Sequence, residues 1–114
     1  MKEEKFRVIQ FIRELILKVD KELENFPKKE LEIKTRIRSN SYDLLEIVYE
    51  ANSTTDIEKK KELLFRVISK VKVIDFLLNL SFDKKLIDQK KYYKFGESIE
   101  DIVKYTSGWI KSII

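Results

Sequence analysis

Apolar residues return every three or four positions along most of the chain. Between Glu3 and Asn25, Val8, Ile12, Leu15, Val19 and Leu23 define one stripe, continued by Phe26 and widened by Ile9 and Ile16. That period predicts a helix with one buried face. Pro27 follows, and a residue without a backbone N–H either stops a helix or opens the next. A second segment, Lys28 to Ala51, carries Leu31, Ile37, Leu44, Leu45 and Val48, with Tyr42 and Ile47 beside them. Asn52, Ser53, Thr54 and Thr55 read as a turn. Thr55 and Glu58 have the spacing of a capping box that starts a third helix. That helix is expected from Asp56 to Leu80, on Ile57, Leu64, Val67, Ile68, Val71, Ile74 and Leu78. Asp75 interrupts the run Val73 to Leu78, so it is expected on the far face or beside a cation.

Ser81 to Ile87 reads as a connection, with Asp88 as the N-cap of a last helix. Tyr92, Phe95, Ile99, Ile102, Thr106, Trp109 and Ile113 form its stripe. Gly96 and Gly108 interrupt it, each at about 1 kcal/mol relative to Ala. Close approach of a neighbouring helix at Gly108 would offset that cost. Four amphipathic helices of similar length on short links imply an all-α fold, an antiparallel up-down-up-down four-helix bundle. One domain is expected over residues 1–114, with no internal repeat and no linker.

Composition supports this and removes several chemistries. Two Gly and one Pro are too few for the many turns of an all-β domain. There is no Cys, which excludes disulfides and thiolate metal sites. There is no His, which removes the usual general base near neutral pH and the usual zinc ligand. A di-metal carboxylate bundle would want Glu-x-x-His pairs. No phosphate-binding Gly loop is present, and no pair of carboxylates stands out as acid and base. The expectation is a protein that is not an enzyme and uses no cofactor or metal. Met1 to Lys5 lead into charged helical sequence without an apolar region, and no stretch reaches the ~18 apolar residues of a membrane span. A cytoplasmic protein without a membrane segment is expected.

Twenty-four basic against twenty acidic residues give a net charge of +4. That balance permits an acidic partner without demanding one. Two clusters are candidates for a phosphate backbone. In the second helix they are Lys28, Lys29, Lys34, Arg36 and Arg38; in the third, Lys59 to Lys61, Arg66, Lys70 and Lys72. Lys34 and Arg38 are four apart and share a face, as do Arg66 and Lys70. The bland alternative is a solvated face with intrahelical ion pairs. The second helix also carries its bases first and its acids second, against the helix dipole, a hint of function worth only ~0.3–1 kcal/mol per terminal charge. Tyr92, Tyr93, Phe95, Tyr105 and Trp109 concentrate in the last helix. Bases stack on exposed aromatics, but at helical spacing core packing is the better reading, with Tyr93 off the core.

The last helix carries a resemblance. Leu86 to Tyr92, then Gly96-Glu97, then Gly108 to Ser112, resemble the end of the accessory variability determinant proteins of diversity-generating retroelements. These are related to the bundle proteins encoded in ribosomal-RNA intervening sequences. Phe26-Pro27-Lys28 with the Arg-containing second helix, and the third helix from Leu63 to Leu80, are similar to the same group. The stretch Ser39 to Leu45 lacks the small-residue run ending in Glu-Gly of the intervening-sequence relatives, which favours the retroelement branch. The resemblance implies a homopentameric, basic assembly without an active site. It implies low-specificity RNA or DNA binding, association with a reverse transcriptase, and assistance in mutagenic copying of a template RNA. Carried onto this chain, the nucleic-acid-binding residues would be Lys34, Arg36, Arg38, Arg66, Lys70 and Lys72, chosen by charge and helix position. A ring of five would carry about +20. The alternative is a protein-interaction bundle with no nucleic-acid role. Self-association also has a residue-level motive: Phe11, Tyr49, Phe76, Phe82 and Tyr93 lie off or beside the core stripes.

Overall fold

The computed structural model describes residues 2–113; Met1 and Ile114, the ends of the domain expected over 1–114, lie outside them. The described residues form four helices: α1 (Lys2–Leu23), α2 (Leu31–Ser53), α3 (Ile57–Asp83) and α4 (Gln89–Ser112). A single 3-10 turn, Lys28–Glu30, leads into α2. No strand occurs among the described residues. Helices adjacent in sequence pack side by side, and α4 closes back on α1, while the backbones of the diagonal pairs α1–α3 and α2–α4 stay more than 8 Å apart between Cα atoms. This is the all-α, up-down-up-down four-helix bundle, drawn out to 45 × 23 × 18 Å.

The core is the set of stripes turned inward. Val8, Ile12, Leu15, Val19, Leu23 and Phe26 are all buried, as are Ile37, Leu44, Val48, Leu64, Val67, Val71, Ile74 and Leu78. From α4 come Phe95, Ile99, Ile102 and Trp109. Burying side chains of this size is the main driving force, about 1.5–3 kcal/mol each. Ile33, Leu63 and Leu77 are buried too, on faces broader than the expected stripes. Leu31 and Ile57 depart the other way: each stands in the first turn of its helix, 64% and 47% exposed, where the chain has only begun to enter the bundle.

The breaks fall near the expected places, with shifts at the helix ends. α2 begins at Leu31 after the 3-10 turn and takes in Asn52 and Ser53, both expected in the turn. α1 ends at Leu23, short of Asn25, and Asn25 and Phe26 close a turn onto Glu22 and Leu23. The cap of α3 is Asp56, whose Oδ1 accepts from the Lys59 N–H at 3.2 Å. Thr55 does not cap this helix; the carboxylate of Asp56, one residue on, reaches the orphan N–H instead. The α3 helix also runs past Leu80 to Asp83, through Ser81, which is buried and donates its hydroxyl to the Leu77 carbonyl at 2.8 Å. A Ser that bonds its own preceding turn can remain helical inside a core. Asp88 caps α4 as expected, accepting from the Lys91 N–H at 2.8 Å.

Gly108 lies against α1: a Cβ there would meet Glu4 Cγ at 3.1 Å. Gly96 has open space around it. Thr106 is buried with no hydrogen-bond partner for its hydroxyl among the described residues. Among the described residues no helix is long and apolar enough to cross a membrane.

Candidate nucleic-acid interface

The six cations singled out in the sequence do not converge on one face. Arg38 Nε donates to Asp20 Oδ1 of α1 at 3.0 Å. Lys70 Nζ lies 3.1 Å from Asp43 Oδ2 of α2. Arg36 stands 3.9 Å from Glu32 one turn back, an exposed pair of little energetic weight. Lys34, Arg66 and Lys72 make no ion pair among the described residues; Arg66 and Lys72 are exposed and Lys34 is half-buried. Lys34 and Arg38 do share a turn of α2, and Arg66 and Lys70 a turn of α3. In each couple, however, the second member is engaged by the neighbouring helix.

Those contacts bear on the reversed charge order of α2. Its basic first half lies beside the end of antiparallel α1, where Asp20 waits for Arg38. Its acidic second half lies beside the start of α3, where Asp43 meets Lys70. Interhelical pairing of this kind offsets a dipole cost of ~0.3–1 kcal/mol. Helix packing thus accounts for the placement of Arg38 and Asp43 within that order.

A basic surface that the sequence reading missed lies between α1 and α4. Lys18 and Lys21 from α1, with Lys91 and Lys94 from α4, line a groove of about 500 Å³ together with Glu22, Asn25 and Phe95. Past Glu22, Asn25 and Lys91 it continues into a depression bordered by Phe82, Lys85, Leu86, Ile87 and Asp88. Local structure places each lysine. Burial of Leu15 and Val19 turns Lys18 to the flank of α1. The Asp88 cap sets where α4 begins, and so where Lys91 and Lys94 fall. Lys85 ends α3 in the left-handed region, φ 64°. Around it the Leu86 N–H reaches the Ser81 carbonyl at 2.8 Å and the Lys85 N–H reaches Phe82 at 2.9 Å, the paired bonds of a Schellman ending.

The two acids in this groove are already committed. Glu22 takes the Lys91 ammonium at 3.2 Å, and Asp88 takes the Lys91 backbone N–H. Lys18, Lys21, Lys85 and Lys94 are exposed and make no ion pair among the described residues. The groove therefore has uncompensated positive charge on both walls.

The groove on the other side of α4 has the opposite sign. Asp75 of α3 faces Glu97 and Glu100 of α4 across a depression of about 530 Å³ that also holds Tyr92, Tyr93 and Gly96. Asp75 has neither of its expected placements: it is half-buried on the groove wall and makes no ion pair among the described residues.

The aromatics of α4 divide as their spacing suggested. Phe95 and Trp109 are buried. Tyr92 stacks on Phe82 with ring centroids 5.1 Å apart, and Tyr105 packs on Phe11 at 5.4 Å, with the Arg7 and Lys104 cations each within reach of its ring. Tyr93 alone of the five is mostly exposed, at 60%. Among the described residues, no three acidic side chains stand close enough to hold a metal ion.

The signal for the α1–α4 groove was present in the sequence. Lys18 and Lys21, and Lys91 and Lys94, are each spaced one turn apart. In a closed up-down bundle the first and last helices are neighbours, so the pairs add. Read one helix at a time, neither pair stands out. No family model, curated protein or solved structure matches the chain.

Proposed function

We propose that the chain is a nucleic-acid-binding bundle that works through partners and carries no catalytic step of its own. Following the resemblance of its last helix, it is an accessory protein of a diversity-generating retroelement. It resides in the cytoplasm, associates with the reverse transcriptase and assists mutagenic copying of a template RNA. The observation that supports binding is the α1–α4 groove, where Lys18, Lys21 and Lys94 stand unpaired on facing helices while Glu22 is neutralised by Lys91. Phosphate contacts of this kind position a nucleic acid without reading its sequence. Asn25 is the one neutral polar side chain on that part of the groove, so sequence preference is slight.

Homo-oligomerisation, as a pentamer by the resemblance, belongs to the same proposal. Its support is exposed apolar surface. Phe65, Val73, Phe76 and Leu80 recur on the outer face of α3, and Leu17 and Leu31 stand 72% and 64% exposed on α1 and α2. Apolar surface of this extent marks a contact more often than a solvated face. The same stripe favours a second reading, a protein-interaction bundle with no nucleic-acid role. Fluorescence anisotropy with labelled RNA and DNA in low salt separates the two. Binding that weakens steeply with salt supports the first reading. No binding by the wild type removes it and leaves the second.

A further inference from the structure

We infer that the α1–α4 groove takes one strand of nucleic acid, clasped by Lys18, Lys21 and Lys94, in preference to a duplex; the inference rests on the nucleic-acid reading above. Packed helices lie about 8–10 Å apart axis to axis and their side chains fill most of that spacing, so the groove is a furrow with lysines rising on both sides. A single flexible phosphodiester backbone laid along it follows the furrow and meets Lys18 and Lys21 on one side and Lys94 on the other. A duplex is far wider and stiffer, so it offers the furrow only a short arc of backbone and engages fewer of the three lysines.

The positions of the charges define a track. Lys18 and Lys21 are one turn apart on α1, and Lys94 faces them from α4. Lys85 extends the same line toward the α3–α4 link. Glu22 lies on the floor, but its charge is cancelled by Lys91 at 3.2 Å, and its side chain is only 14% exposed. A phosphate in the groove therefore meets little repulsion from below. Asp75, Glu97 and Glu100 repel phosphate from the neighbouring groove, so α4 has one face that admits a strand and one that rejects it. Phe95 is buried at the base and offers no stacking platform, so backbone contacts carry the interaction.

The test uses the full-length chain, a fluorescent homopolymeric single strand and a duplex of equal length. Wild type is expected to bind the single strand more tightly. A K18E/K21E/K94E variant is expected to lose at least about tenfold in affinity at low salt, with the salt slope flattened by about 2, as three lost contacts at ~0.7 each require for single strands. A Lys→Gln version at the same three positions carries no added repulsion and should show the same flattened slope with a smaller loss of low-salt affinity. An R36E/R66E/K72E variant makes the same change in net charge with the groove intact, so it should keep a steeper salt slope and bind more tightly than K18E/K21E/K94E. Circular dichroism verifies that each variant keeps native helicity. Equal or tighter binding of the duplex, or full single-strand affinity in the groove variant, overturns the inference and leaves nucleic-acid binding standing. Failure of the wild type to bind either probe overturns the reading beneath it.

Discussion

Asp43 of α2 and Lys70 of α3 meet at 3.1 Å, tying the acidic half of one helix to the basic half of the next. The Lys70 side chain is 26% exposed and that of Asp43 42%, so solvent screens the pair. A double-mutant cycle with Asp43→Ala and Lys70→Ala should give a coupling of about 0.2–1 kcal/mol. Lys70→Ala should leave nucleic-acid affinity unchanged, because this cation is committed to the bundle. A clear loss of binding would return Lys70 to the interface.

The corrected cap makes a sharp comparison. Asp56→Ala should destabilise the bundle by about 1 kcal/mol, as should Asp88→Ala, since each removes the acceptor of an orphan N–H. Thr55→Ala should stay within about 0.5 kcal/mol of wild type. Urea titrations of the three variants decide it, and the reverse ranking would restore the Thr55 capping box.

Thr106 buries a hydroxyl with no partner among the described residues. Thr106→Val keeps the shape and removes the unsatisfied group, so the bundle should gain about 1 kcal/mol. For a chain of this size that raises the thermal midpoint by about 4 °C. An unchanged or lowered midpoint would mean that the hydroxyl has found a partner, such as a bound water.

The two glycines of α4 should respond differently. Gly96→Ala meets nothing within 4 Å and should stabilise the helix by up to about 1 kcal/mol. At Gly108 the new methyl presses on Glu4 Cγ at 3.1 Å, so part of the same gain is lost in moving that side chain. Thermal melts of the two variants should rank Gly96→Ala above Gly108→Ala.

The periodic apolar positions made the four helices and their order readable, because a buried stripe at the helical period is set by local sequence. Misreadings came where a decision was tertiary. Ser81 looks like a link residue, yet its hydroxyl closes onto Leu77 and lets α3 continue. Leu31 has the spacing of a core residue but stands outside the bundle. The charges were least legible. Arg38 and Lys70 looked like free cations until Asp20 and Asp43 appeared beside them from other helices. Lys18 and Lys94 are separated by most of the chain, and only closure of α4 onto α1 brings them to one groove.

The most direct test of nucleic-acid binding is the affinity of the wild-type chain for a labelled RNA single strand, measured from about 50 to 200 mM salt. Affinity should fall linearly on a log–log plot with a slope of about −2 or steeper, one increment of ~0.7 for each phosphate held by Lys18, Lys21 and Lys94. A flat line, or no binding at the lowest salt, would contradict it and leave a bundle that binds only protein.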